Sequence, residues 1–187
     1  MAYLFDPDQL HQISRDAVAH GGSQQTRFDY VAQALERLVP GRTDPRPRWV
    51  LNSANGALGQ LALLYASLTE YVIFFGSPIG TEGHSGRYLA EVYDFMLTGE
   101  MWTYLEGETE KTVYKPGDAA FLPRRRAKGY CIHEGSWMLE YARGLIPAML
   151  PSGLADNFSS NLDMRSLGYT VVDYGRLTIR ELLRGKI

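Results

Sequence analysis

Two spacings of apolar residues divide the chain. Between residues 6 and 41 they recur every three or four positions: Leu10, Ile13 and Ala17 make one stripe, and Phe28, Val31, Leu35 and Leu38 make another. Stripes of this period are the buried face of amphipathic helices. Asp6-Pro7 supplies an N-cap and a proline for the first helical position, Gly21-Gly22 stops the first helix, and Pro40-Gly41 stops the second. The segment 42–48, RTDPRPR, reads as a surface connection into Trp49-Val50-Leu51. The stretch 57–75, ALGQLALLYASLTEYVIFF, is almost wholly apolar but is interrupted by Gln60 and Glu70. It ends in β-favouring residues, so it reads as a buried helix running into a buried strand rather than a membrane span.

From Glu70 the period shortens. Strand-like runs follow at 69–76, 87–99, 100–107, 110–118, 119–124, 127–135 and 136–144. Turn signals separate them at Gly99-Glu100, Glu106-Gly107-Glu108, Pro116-Gly117-Asp118 and Glu134-Gly135-Ser136. Many short strands at regular spacing are the signature of a sandwich or jelly-roll barrel. The glycine–proline spacing from Gly117 to Pro123 agrees with cupin barrels. After Gly144 the helical period returns, broken by Pro151-Ser152-Gly153, and the tail sets Leu177, Leu182 and Leu183 against arginines. A tail of that kind covers a barrel mouth or lies on a lipid surface. The expected fold is mainly β with flanking helices: a cupin-like jelly-roll β-barrel with N-terminal helices and C-terminal amphipathic helices covering it. One domain spans 1–187, helical over 1–68, barrel over 69–144 and helical again over 145–187.

Charge and composition narrow the chemistry. A net charge of −2 gives no electrostatic reason to expect nucleic acid, and Arg124-Arg125-Arg126 reads as a solvated turn. The single cysteine, Cys131, excludes an intrachain disulfide and lies in an apolar strand, where a buried inert thiol is expected. The opening MAYLFDPDQL has neither the basic nor the apolar region of a signal peptide. With no spanning segment either, the expected location is cytoplasmic or peripheral to a membrane. His84 and His133 belong to no metal-ligand pair and read as structural, so neither metal nor cofactor is expected. Ser85, Ser136 and Cys131 lack a neighbouring histidine–acid set, and no phosphate-cradling glycine loop occurs.

What remains is acids in apolar strands: Glu70, Glu91, Asp94 in AEVYDFML and Glu140 in WMLEYA. Glu91 and Asp94 are three apart and fall on opposite faces of their strand. Asp94 and Glu140 have two readings. In one they are ion-pair partners of Arg87 or Arg143 at a strand edge. In the other they share an apolar cavity, where two carboxyls hold one proton between them and one stays protonated near neutrality. Such a pair can protonate an alkene, stabilise the resulting carbocation and take a proton back; it would also bind cationic amphiphilic amines.

The text YASL at 65–68, then TEYVIFFGSPIGTEGHSGRY, AEVYD and WMLEYARGLIP, closely resembles the family uniting fungal sterol Δ8-isomerases with the sigma-1 receptor. The resemblance runs over essentially the whole chain. It implies a metal-free cupin-like barrel in a family where trimers are known, hence a homo-oligomer, and a hydrophobic sterol or terpenoid ligand. It implies that Asp94 and Glu140 face each other inside the barrel, both needed for isomerisation, with Glu140 meeting a cationic amine in receptors. Tyr71, Phe75, Tyr88 and Tyr174 then line the pocket, with Met101, Leu122, Met149 and Leu150 at further pocket-side positions. The expected activity is isoprenoid alkene chemistry begun by protonation, by default sterol Δ8-to-Δ7 isomerisation. A protonation-initiated terpene cyclase and a sigma-receptor-like binder of amines are the alternatives. Cationic amphiphilic amines are the expected inhibitors, and the C-terminal helices the expected membrane contact.

Overall fold

A computed structural model describes residues 3–186, so Met1, Ala2 and Ile187 at the ends of the expected domain lie outside the described residues. Two helices come first, α1 (Pro7–His20) and α2 (Gln24–Leu38). The Asp6 side chain accepts from the Asp8 and Gln9 amides and Ser23 caps α2, as expected of short oxygen side chains at N-caps. Phe28, Val31 and Leu35 are buried, whereas Leu38, expected on the same face, is 37% exposed at the end of α2.

Ten strands follow: β1 (Trp49–Ala54), β2 (Ala57–Ala66), β3 (Glu70–Ser77), β4 (Thr81–His84), β5 (Ala90–Thr98), β6 (Met101–Leu105), β7 (Thr112–Tyr114), β8 (Ala119–Leu122), β9 (Lys128–Ile132) and β10 (Ser136–Gly144). They form a six-stranded sheet, β1-β2-β3-β10-β5-β8, and a four-stranded sheet, β4-β9-β6-β7. From β3 onward the order is that of a jelly roll: β3-β10-β5-β8 faces β4-β9-β6-β7, and β1 and β2 extend the first sheet at its edge. The expectation of a mainly β, cupin-like architecture holds, with two facing sheets in place of a closed barrel. A 3₁₀ turn (Ile146–Ala148), α3 (Leu150–Ser159) and α4 (Met164–Leu183) complete the chain.

One expected element is wrong. Residues 57–66 form β2, not a helix, and pair antiparallel with β3 after a turn in which Ser67 Oγ accepts from the Thr69 and Glu70 amides. The reason is two-sided burial. Ala62 and Leu64 of β2 face the N-terminal helices, while Leu61 and Leu63 face the opposite side, so no polar alternation marks the strand. Its leucines and alanines favour helix in isolation, and sheet packing overrides that preference.

The central strands of the large sheet, β3, β10 and β5, are two-sided in the same way. One face packs on α1 and α2 through Phe74, Phe95, Leu97, Leu139 and Tyr141. Phe28 anchors the contact, with ring centroids 4.6 Å from Phe74, 5.0 Å from Trp49 and 5.5 Å from Trp137. Glu70 lies fully buried on this face and accepts from the Leu4 amide at 2.7 Å, the Phe5 amide at 3.2 Å, Tyr141 Oη at 2.8 Å and the Lys186 ammonium at 2.8 Å. A single carboxylate thus ties both ends of the chain to β3. The C-terminal helix docks by a similar device: Leu177 and Thr178 are buried, and Glu181 receives Arg42, Arg184 and Tyr65 Oη. The outer side of α4 leaves Val171, Val172, Ile179 and Leu183 exposed. Among the described residues no helix is long and apolar enough to cross a membrane.

Glu70→Ala leaves two amides, a phenol and an ammonium without their shared acceptor. It is expected to lower unfolding stability by about 3 kcal/mol, read from urea denaturation as a lower midpoint at unchanged slope.

Candidate active site

The other face of the large sheet, with the facing sheet and the C-terminal segment, encloses a cavity of about 210 Å³. Strand alternation selects its lining. Tyr71, Ile73 and Phe75 point in from β3, Val92 and Asp94 from β5, and Met138 and Glu140 from β10. Met101, Lys128 and Tyr130 close it from the small sheet. Met149 and Leu150 cover it from the segment entering α3, and Tyr174 does so from α4. All ten residues singled out in the sequence, Asp94, Glu140, Tyr71, Phe75, Tyr88, Met101, Leu122, Met149, Leu150 and Tyr174, touch this one space.

The acids meet through register. Glu140 lies directly opposite Asp94 in the β10–β5 ladder, which places their Cβ atoms on one face about 5 Å apart. On the other side Glu140 opposes Ile73 of β3, so Tyr71 sits on the diagonal, and its Oη donates to Glu140 Oε1 at 2.5 Å. Asp94 is 3% exposed and is paired with the ammonium of Lys128, itself 7% exposed, reaching across from β9. Glu140 keeps part of its surface open, toward the cavity.

This setting pushes the Glu140 carboxyl up to about 7. Burial is the largest cause and the Asp94 charge the second, while the Tyr71 hydrogen bond and Lys128 pull the other way. Burial and then the charge of Glu140 hold the Tyr71 phenol well above its ordinary value, so Tyr71 acts as a donor. At the rim, Tyr88 Oη is hydrogen-bonded to Ser152 Oγ at 2.5 Å and accepts from Asn55 at 3.1 Å, linking the first turn of α3 to the β1–β2 turn. Gly86 makes room for that ring: it sits at φ +80°, and a Cβ there would lie 2.1 Å from Tyr88.

The strand-edge reading of the acids is corrected. Arg143 pairs with Glu91 at 2.6 Å and Arg87 with Glu106 at 3.0 Å, both away from the cavity pair. Glu91 and Asp94 do face opposite ways. Lys128 is the residue the sequence reading missed, although it alternates with Tyr130 and Ile132 along β9 and so shares their inward face. Cys131, expected to be buried, is half-exposed on the outer face of β9. His84 lies at the cavity rim, where its Nδ1 accepts from the Gly86 amide at 2.9 Å, and His133 packs against Trp102. Among the described residues no group of three or more histidines, cysteines and acids could hold a metal ion.

Fold and cavity define a class: a jelly roll whose interior is apolar apart from two opposed acids, their lysine and a ring of phenols. The family described as "ERG2 and Sigma1 receptor like protein" matches residues 1–186, and the chain belongs to it. It is 44% identical over 188 residues to the C-8 sterol isomerase of Pyricularia oryzae, covering 98% of this chain and 85% of that protein. It is 37% identical over 183 residues to the sigma non-opioid intracellular receptor 1 of Xenopus tropicalis, covering 96% of this chain and 81% of that one. Among solved structures, an RmlC-like cupin from Shewanella frigidimarina aligns at TM-score 0.45 and 15% identity, over 53% of this chain and 85% of that one.

A carboxyl whose pKa is raised on folding binds more protons folded than unfolded, so stability falls as pH rises from its unfolded value of 4.5 to about 7. Glu140→Gln should remove that fall. The check is a series of urea midpoints between pH 4.5 and 7.5, with the variant's curve flatter than the parent's.

Proposed function

We propose that the protein is an isomerase that shifts a carbon–carbon double bond in an apolar isoprenoid, with a Δ8-sterol as its first substrate to test. The observation that carries this reading is the Asp94–Glu140 pair, opposed across one ladder inside an apolar cavity, with one acid titrating near neutrality. A protonated carboxyl of the pair gives its hydrogen to one alkene carbon. The cation that forms lies among fixed negative charge and the faces of Tyr71, Phe75 and Tyr174, which stabilise it without reorganisation. A carboxylate then removes a proton from a neighbouring carbon, and the double bond re-forms one position along. The C-8 sterol isomerases among the relatives support the isomerase reading. Cationic amphiphilic amines, which hold a permanent charge where the carbocation would arise, are the expected inhibitors.

The size of the cavity favours a second reading on the same residues. At about 210 Å³ it is not far above the engineered hole of roughly 150 Å³ that admits one benzene. A folded linear terpenoid is closer to that size than a tetracyclic sterol, and with such a substrate protonation would be followed by ring closure before proton loss. The exposed apolar side of α4, with Phe158 and Leu162 nearby, supports contact with a membrane surface from which either substrate could be drawn.

The test is turnover in deuterated water with a Δ8-sterol and with linear polyprenyl alkenes. Deuterium at a new C–H bond of a rearranged product is the expected result, and the ring count of that product decides between isomerase and cyclase. Glu140→Gln and Asp94→Asn should each lower labelled product at least about a hundredfold with the fold intact. Unlabelled alkenes throughout, with micromolar binding of cationic amines, would replace both readings by that of a receptor.

A further inference from the structure

Lys128 is a costly residue to place in this cavity, because a buried ammonium needs a partner. Its backbone is fixed from both sides: its amide donates to Ser85 Oγ at 2.9 Å, and its carbonyl accepts from the Ser85 amide at 2.9 Å. From there its side chain crosses the gap between the sheets to Asp94 Oδ2. Among the described residues it hydrogen-bonds that acid and not Glu140, whose donor is Tyr71. The two carboxyls are therefore equivalent in register and unequal in charge environment.

We propose that Lys128 is a positioning residue that separates the roles of the two acids: paired with Asp94 alone, it keeps Asp94 the carboxylate that receives a proton and leaves Glu140 the acid that donates one. The inference rests on the acid–base reading above. In the forward step the Glu140 O–H bond breaks and a C–H bond forms with the alkene's π electrons. Asp94 then takes a proton from the adjacent carbon, and that C–H electron pair becomes the new π bond. Between turnovers Asp94 releases its proton to solvent and Glu140 takes one up, restoring the starting state with no net proton gained or lost, so that in deuterated water the donated hydrogen is deuterium.

The remaining groups around the pair do not disturb this division. Burial pushes Tyr71, Tyr130 and Tyr174 up, so they are neutral donors, and Tyr88 is engaged with Ser152. At the rim Arg48 pairs with Asp173 at 3.8 Å, and His84 lies beside Gly86. The formal charges of Lys128 and Asp94 sum to zero, although Asp94 outweighs Lys128 at Glu140, so the net charge of the three is that of Glu140: none when protonated, one negative when ionised. A lysine here therefore also sets how strongly the cavity holds a permanent cation.

The test is a charge cycle read by binding of the quaternary amine dodecyltrimethylammonium, whose charge does not titrate, to the full chain across pH 5 to 9. For the parent protein, affinity should rise as Glu140 ionises near pH 7. Lys128→Met should bind the amine about tenfold more tightly at pH 6 and move that midpoint up by about one unit. Asp94→Asn should weaken binding by a similar factor, and Lys128→Arg should restore parental behaviour. In Asp94→Asn/Lys128→Met the two effects should cancel to within about threefold; this pair of neutral side chains serves where Lys128→Met alone does not fold. In deuterium-labelled turnover, Lys128→Met should lose at least about tenfold in kcat while its alkaline limb follows the same upward shift. Amine affinity and midpoint indifferent to Lys128→Met, or a double variant whose effects do not cancel, would overturn the proposal. Because the amine titration needs no turnover, a clear charge cycle in a protein that labels no alkene sinks the isomerase reading alone. Labelled turnover with a flat cycle sinks only the role of Lys128.

Discussion

The structure turns on the desolvation of one carboxyl pair. Two acids at directly opposed positions of a ladder, with an apolar cavity before them, cannot both ionise without cost. Water would relieve that cost, and the fold restricts its approach. The facing sheet closes one side, the 3₁₀ turn and α3 close the mouth, and α4 lays Tyr174 over the opening. Partial relief comes from inside: Tyr71 donates to Glu140, and Lys128 pairs with Asp94. Each relieving group meets a different acid, so the two carboxyls differ in their surroundings although they are equivalent in register.

Holding two charged residues this way requires a scaffold that does not yield. The central strands of the large sheet supply it by burying both of their faces. On one side the aromatic contacts of Phe28, Trp49, Phe74 and Trp137 clamp α2 to the strands. On the other the cavity side chains are set by the same pleat, so a shift of register by one residue would send Asp94 or Glu140 into the helix layer. The ladder that positions the chemistry and the core that stabilises the domain are therefore the same strands, and the site inherits their rigidity.

Much of this was legible in the chain. The helices α1 and α2 announced themselves through their stripes and caps, and β3 and the strands from β5 to β10 through turn residues at regular intervals; the four-residue β4 fell outside the expected runs. Glu91 and Asp94 could be sent to opposite faces by parity alone. Two other things were not legible, for physical reasons. β2 carries no alternation because neither of its faces meets water from Ala62 to Ala66, so its leucines and alanines resemble a helix. Lys128 lies between Ala127 and Gly129, where a lysine in a short strand ordinarily marks a solvent edge. Its inward direction depends on β9 lying across from β5, which is a property of the jelly-roll order and not of local sequence.

The buried acids also explain one another. Glu70 has two amides, a phenol and an ammonium around its carboxylate, Glu181 has arginines and a phenol, and Glu91 has Arg143, Arg124 and Tyr93. Those three are charges surrounded by donors, and they tie segments of chain together. Asp94 has its lysine, and Glu140 has one phenol and an open face. A carboxyl with few donors in a dry space is a poor structural element, because a single hydrogen bond does not compensate the loss of water. Stability alone would favour an apolar side chain at position 140. On the proposed function, the acid there answers a positive charge that arrives from outside the chain, whether transient on carbon or permanent on nitrogen. Lys128 bears on which of those the cavity is built for: a site meant only to hold a cation would do better without a lysine beside it, whereas a site that must donate and recover a proton needs one of its two acids neutralised.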